Sequence, residues 1–139
     1  MIKTIFNPGN YSRNINIALL LLRLAAGAFM LTHGLGKFSK LFGDAPIKFA
    51  DPIGLGEPAS LALVVFSEVL CSILLILGLA TRFAAIPLII TMLVIVFISH
   101  AGDEFGDVEL PLLYTAIYVV LALNGAGKYS VDQLIYNKI

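Results

Sequence analysis

Four long apolar stretches constrain this chain more than any other feature of its sequence. A helix needs about 20 mostly apolar residues to cross a hydrocarbon core about 30 Å thick. Hydrophobic residues make up 59% of the chain and charged residues 13%, against about 25% charged residues in an ordinary soluble domain. The sequence therefore predicts an all-α fold, an integral membrane four-helix bundle forming a single domain over residues 1–139. Its spans run from about Asn16 to Gly36, Ala59 to Ala80, Phe83 to Ala101 and Val108 to Gly125.

The charge balance and the single cysteine exclude several other classes of protein. Nine basic and nine acidic residues give a formal net charge of zero, so we expect no nucleic-acid partner. Cys71 stands alone, which excludes an internal disulfide, a CxxC redox pair and a cysteine-based zinc site. The sequence also has no Gly-rich phosphate loop and no dinucleotide fingerprint.

The connections between the spans predict how neighbouring spans are arranged in the bundle. Thr81 and Arg82 alone join the second span to the third, which predicts an antiparallel hairpin. The longest link, residues 37–58, is rich in Gly and Pro but keeps several apolar side chains, so we expect it to lie on the membrane surface or to fold partly back into the bundle. After the fourth span, Ser130 and Gln133 fit a capping box and predict a short C-terminal interfacial helix.

Two ionisable residues fall well inside the predicted spans, where each costs about 2.5–3.5 kcal/mol on insertion scales. Arg23 lies about one helical turn from Glu68 in depth, and its long side chain can cover that difference. We therefore predict an intramembrane Arg23–Glu68 ion pair. Such a pair would either fix the helix register or help to bind an anionic or quinone head group.

A second polar group is expected near the outer surface, from three different helices: His33, Lys37, His100 and Glu109. Taken singly, each histidine can be interpreted as a polar residue near a helix end whose side chain reaches water. Converging on one pocket, the group would suit an anion, a quinone carbonyl or a metal. In the quinone reading, Lys37 anchors an oxygen and the histidines exchange protons, since histidine titrates near neutral pH. Glu109 would orient a histidine or pass the proton to water. Two histidines also suit haem, but nothing else marks such a site, and we assign no metal.

Four sequence segments together resemble the DoxX family of small four-helix membrane proteins. The match covers nearly the whole chain, and the order and spacing of its pieces make it specific. The pieces are Arg23 with Gly27 and His33–Phe38, Glu68 with Leu77–Arg82, His100–Asp103 with Glu109, and Gly125–Asp132.

This resemblance implies a membrane protein tied to redox chemistry, such as thiosulfate-to-quinone electron transfer or oxidative stress defence. It implies no agreed set of catalytic residues. Because the sequence has no flavin or iron–sulfur motif, we expect electrons to pass through a bound quinone or a partner protein. Besides the lipid bilayer, a redox partner or further copies of the chain are the expected partners. The rival interpretations are a membrane scaffold or chaperone-like protein with a structural polar core, and a small transporter.

The distribution of basic residues predicts the orientation. With the N-terminus inside, the inside segments hold Lys3, Arg13, Arg82, Lys128 and Lys138, and the outside segments hold Lys37, Lys40 and Lys48. Basic residues favour the cytoplasmic side. Both termini are therefore expected in the cytoplasm of a multi-pass cell-membrane protein.

Reporter fusions test this topology. Fusions at Asp51 and Glu104 should report an outside location, and a fusion after Ile139 should report an inside one. A reversed pattern, or an odd number of crossings, would contradict the prediction.

Overall fold

The computed structural model describes residues 1–139 and is helical throughout, without strands. Its four long helices each have the length and apolar composition of a membrane span, and they confirm the predicted four-helix membrane bundle. We call them the first to fourth spans: Arg13–Leu41, Glu57–Leu77, Thr81–Ser99 and Phe105–Asn124. Two short helices, Ile2–Ile5 and Val131–Tyr136, flank them.

The helix boundaries differ from the sequence prediction mainly in the first span. That helix starts at Arg13 and continues to Leu41, beyond the predicted end at Gly36, because Gly34 and Gly36 are tolerated in its interior. The second and third spans contain π-helical turns, at Phe66–Cys71 and Ile95–Ser99. In the C-terminal helix, Ser130 Oγ accepts a hydrogen bond from the Gln133 amide at 3.2 Å, whereas the Gln133 side chain donates to Asn137 Oδ1 at 2.7 Å. Only the serine half of the predicted capping box therefore forms.

The spans pack in chain order, and the fourth span closes the bundle against the first. The two ends of the bundle are therefore distinct. The terminal end carries residues 1–12, the link at Gly78–Ala80 and residues 125–139; the loop end carries residues 42–56 and 100–104. The core between them is lined mostly by small and apolar side chains: Leu19, Ala26, Met30, Cys71, Leu75, Ala84, Ala85, Leu88, Met92, Tyr114, Tyr118 and Leu121.

Close contact between the first two spans depends on two glycines. A Cβ placed on Gly27 would lie 3.0 Å from the Ser72 carbonyl oxygen, and one on Gly34 would lie 2.9 Å from the Glu68 carbonyl carbon. Small residues at such positions let membrane helices approach closely. The two contacts fix the antiparallel register of the spans, and that register decides which polar side chains meet.

The terminal end is locked by the segment that follows the fourth span. The Asp132 carboxylate accepts hydrogen bonds from the Ala80 amide at 2.6 Å and the Thr81 amide at 3.0 Å. It therefore caps the start of the third span, where helix amide groups lack partners. The Asp132 amide in turn donates to the Gly78 carbonyl at 2.8 Å. Burial of the Asp132 carboxyl raises its pKa, against the opposing effect of these hydrogen bonds and of Arg23.

Arg82 stabilises the other helix end at this side. Its guanidinium donates to the carbonyl groups of Ala122, Leu123 and Asn124, the last residues of the fourth span. Those carbonyls have no amide partner within the helix, and a cation there also complements the helix dipole. Arg82, from the third span, thus caps the C-terminal end of the fourth span.

Gly78 is the position that we expect to tolerate substitution least. It ends the second span with a φ of 67°, and a Cβ there would overlap the Arg23 guanidinium. The Gly78→Ala substitution should destabilise the protein by at least about 2 kcal/mol, from left-handed backbone strain together with the clash. Reversible unfolding in mixed micelles measures this cost. The control is Gly36→Ala, where a Cβ meets nothing within 4 Å and helix propensity improves. Equal losses in both variants would contradict the interpretation.

Candidate ligand site at the loop end

An ion pair joins the first and second spans near the loop end. The Lys37 ammonium donates to Glu68 Oε1 at 2.8 Å and to Oε2 at 2.7 Å. The Lys37 side chain is 31% exposed, whereas the Glu68 side chain is 2% exposed. Glu68 also lies in the π-helical turn Phe66–Cys71, a type of irregularity that is frequent at functional sites.

Helix direction explains why these two side chains meet. The Cα–Cβ bonds of a helix tilt toward its N-terminus. The first span starts at the terminal end, so the Lys37 side chain tilts from the loop end toward the middle of the bundle. The second span starts at the loop end, so the Glu68 side chain tilts toward the loop end. With Gly34 packed against the Glu68 backbone, the ammonium and the carboxylate converge.

The structure corrects the predicted Arg23–Glu68 ion pair. Arg23 is fully buried but donates to the Leu75 carbonyl at 3.3 Å and to the Tyr129 carbonyl at 2.6 Å. Its side chain leans toward the terminal end, away from Glu68, and Gly78 leaves room for it there. The prediction estimated depth from the span ends, and it placed the end of the first span about one turn too early.

A cavity of about 340 Å³ lies beside this ion pair. We call it the loop cavity, because residues of the long link form one wall and the second and third spans form the others. Most of its lining residues are apolar, and Lys37 and His100 are the basic residues among them. The lining residues are Lys37, Phe49, Ala50, Pro52, Ile53, Ser60, Leu63, Val64, Ile90, Thr91, Val94, Ile95, Ser99 and His100.

Asp51 holds the long link over this cavity. Its carboxylate accepts hydrogen bonds from the Ser60 hydroxyl at 2.8 Å and from the amides of Leu55 and Gly56 at 2.8 and 2.9 Å. The Ser60 hydrogen bond, followed by the backbone amides, lowers the pKa of Asp51. The link is therefore tied to the start of the second span. It folds partly back into the bundle, which was one of the two predicted alternatives.

A smaller cavity of about 120 Å³ lies between all four spans, and both members of the ion pair line it. We call it the inner cavity. It is lined by Met30, His33, Lys37, Glu68, Met92, Ile95, Leu110, Pro111 and Tyr114. The Tyr114 ring lies 6.4 Å from the His33 ring in an edge-to-face arrangement and stacks on Tyr118 at 5.7 Å. Lys37 is the one ionisable residue that lines both cavities.

The predicted outer group is only partly assembled. The structure brings His33 and Lys37 to the inner cavity, and Lys37 and His100 to the loop cavity. Glu109 lines neither cavity and is exposed, because the inward face of the fourth span is the one that carries Tyr114 and Tyr118. The His100 ring is partnered instead by Asp103, at 2.8 Å.

Sequence reasoning missed part of the site. The sequence analysis paired Glu68 with Arg23 rather than with Lys37. Phe49 and Ile53 line the loop cavity, but in the sequence they were recognisable only as apolar residues within the long link. The sequence also did not show which face of the fourth span points inward. The four-residue spacing of Tyr114 and Tyr118 marks a shared face, and only the packed bundle shows that this face is buried.

Comparison with known proteins agrees with this architecture. The DoxX family model matches residues 18–101, which is more than half of the chain. The chain belongs to the DoxX family. The matched region holds most of the first span and all of the second and third, with Lys37, Glu68 and His100, while the fourth span with Glu109 and Tyr114 lies beyond it.

Three relatives match over most of their length. A Bacillus subtilis protein named "Putative oxidoreductase CatD" is 29% identical over 127 residues, covering 90% of this chain and 92% of the relative. Two Haemophilus influenzae proteins are 34% and 32% identical, each covering 86% of this chain and, respectively, 92% and 83% of the relative. No solved structure matches the chain significantly.

A double-mutant cycle tests the ion pair. The Lys37→Met substitution leaves a buried carboxylate without its partner and should cost about 3–5 kcal/mol. Glu68→Gln, which leaves a half-buried ammonium, should cost less. The double variant should cost less than the two single changes together, with a coupling of at least about 1 kcal/mol. Unfolding in mixed micelles measures the free energies of unfolding of all three variants.

In the matched control cycle, the destabilisations caused by Lys37→Met and Glu109→Gln should be additive within about 0.5 kcal/mol. Additivity in the first cycle would mean that the pair contributes nothing.

Proposed function

We propose that this DoxX-family membrane protein is a subunit of a quinone-linked redox process, of the kind used in oxidative stress defence, and that it binds a quinone head group in the loop cavity. The observation that carries this proposal is a mostly apolar cavity of about 340 Å³ with Lys37 and His100 among its lining residues. Sites for small organic ligands have volumes of about 300–1,000 Å³, mostly apolar walls and a few placed polar groups.

The chemistry of the lining suits a planar ring with a carbonyl group. An ammonium is a strong donor to a carbonyl oxygen in an apolar setting. The Glu68 carboxylate does not line the loop cavity, and its two contacts with the Lys37 ammonium leave one of the three N–H groups for a ligand. The Ser60 and Thr91 hydroxyls supply further polar atoms, and the Thr91 hydroxyl donates to Ser67 at 2.9 Å.

The position of the cavity suits a ligand that arrives from the lipid. Three of its lining residues are also on the outer surface of the bundle: Ile53 is 49% exposed, Leu63 51% and Ile90 56%. In a membrane protein such apolar surface faces hydrocarbon. A quinone could therefore enter between the second and third spans with its tail still in the bilayer, without crossing water.

Electron transfer to or from the quinone needs a second redox centre. The chain has no sequence motif for a flavin or an iron–sulfur cluster, so the proposal assigns that centre to a partner protein that carries a flavin or a metal cluster. The name of the Bacillus subtilis relative, an oxidoreductase, supports a redox role at this coarser level. Within this chain, the residues bind and orient the quinone and exchange protons with it.

The scaffold interpretation rests on the other end of the molecule. There Arg23, Arg82 and Asp132 all form hydrogen bonds with backbone groups, as a structural role requires. If the loop cavity binds no small molecule, the whole polar interior is structural and the scaffold interpretation is favoured.

Binding of a short-tailed quinone to the purified protein in detergent tests the proposal. The wild type should bind, and Lys37→Met should weaken binding at least tenfold because the carbonyl loses its donor. Since Lys37→Met alone leaves Glu68 unpaired, the same change is also made in the Glu68→Gln background. His100→Asn should weaken binding severalfold.

Glu109→Gln is the matched control, since Glu109 is exposed at the same end and lines neither cavity. It should bind like the wild type. Absence of binding by the wild type, or equal binding by every variant, would overturn the proposed site.

A further inference from the structure

Lys37 lines both cavities, whereas Glu68 lines only the inner cavity. A carbonyl ligand in the loop cavity that bonds to the third N–H of the Lys37 ammonium therefore draws the ammonium away from the Glu68 carboxylate.

We propose that Glu68 takes up one proton through the inner cavity when an uncharged carbonyl ligand in the loop cavity draws the Lys37 ammonium toward itself. This inference rests on the proposed function, because it requires a carbonyl ligand such as a quinone. It goes further in making ligand binding and proton uptake a single linked event.

The hydrogen bonds of Glu68 carry the argument. Both of its carboxylate oxygens accept from Lys37 Nζ, and no other donor in the protein bonds to them. The side chain is 2% exposed, so water does not replace a lost donor directly. An unpaired carboxylate in such surroundings is far more costly than a protonated one. Weakening the Lys37 contact therefore favours protonation of the carboxyl group.

The inner cavity provides the route for the proton. His33 lines this cavity together with Glu68 and is itself exposed. It stands one turn before Lys37 on the same helix, so a proton can pass from water at the loop end to His33 and then toward Glu68. The other titratable groups near Glu68 are Tyr114, on the cavity wall, and Tyr118, stacked on it; the third span contributes only Met92 and Ile95 there.

Proton uptake at Glu68 changes the charge of the site. Before binding, the ammonium and the carboxylate cancel. Once Glu68 is neutral, the site carries one net positive charge next to the ligand carbonyl. A fixed positive charge in an apolar setting stabilises negative charge that develops on an oxygen. Ligand binding would thus prepare the carbonyl to accept an electron from the partner's redox centre.

Calorimetric titration with a short-tailed quinone, in two buffers with different ionisation enthalpies, measures the protons exchanged on binding. At about pH 8, where ordinary histidines are neutral, the wild type should take up close to one proton per quinone. Its affinity should fall by up to about tenfold for each further pH unit. Glu68→Gln should bind without proton uptake and with an affinity that does not depend on pH in this range.

The matched control is again Glu109→Gln, which should take up the same proton as the wild type. An infrared difference spectrum of the wild type should also show a new protonated-carboxyl band on quinone binding, and this measurement does not depend on how any variant folds. Quinone binding by the wild type without proton uptake or such a band would overturn the inference and leave the proposed function intact. Absence of binding would overturn both.

Discussion

The register between the first and second spans determines the rest of this structure. Gly27 and Gly34 bring the two backbones into contact, and in an antiparallel pair each such contact fixes the depth of every other residue. Arg23 and Lys37 lie about 21 Å apart along the first span at 1.5 Å per residue. The register places Arg23 opposite Gly78 and Lys37 beside Glu68. A shift of one turn would leave both cations without these partners inside the membrane.

The two ends of the bundle use their charged groups differently. At the terminal end, arginine guanidinium groups and the Asp132 carboxylate bond mainly to backbone groups at helix ends. Such bonds satisfy groups that every helix leaves open, and the membrane offers no water to replace them. At the loop end, by contrast, one ammonium and one carboxylate depend on each other, and Lys37 lines both cavities while Glu68 lines the inner one. The first arrangement completes helix ends, whereas the second leaves a charged pair beside two cavities, which is the basis of the ligand binding that we propose.

The sequence was sufficient to predict the four spans, the hairpin between the second and third spans and the short C-terminal helix, because hydropathy and capping are local properties. The link of that hairpin is Gly78–Ala80, however, and the predicted link residues Thr81 and Arg82 begin the third span. The sequence also identified nearly all of the residues that matter. It could not assign their partners, because the partners depend on the register between neighbouring helices. The ends of the apolar stretches do not define that register accurately. The extension of the first helix to Leu41 moved Lys37 from the edge of the span into it. The inward face of the fourth span was likewise undetermined, which is why Glu109 was included in the predicted site.

The Lys37–Glu68 pair shows why a buried ion pair at this place is better explained by function than by stability. Such pairs recover little more than their desolvation cost, and apolar residues of similar size often stabilise a fold as well. The register is already fixed by glycine contacts and by the terminal end, so the pair is not needed for it. The Glu68 carboxylate is 2% exposed, is held by a single donor and lines the inner cavity. Stability alone does not require that arrangement, and it is the arrangement on which the proton uptake that we propose depends.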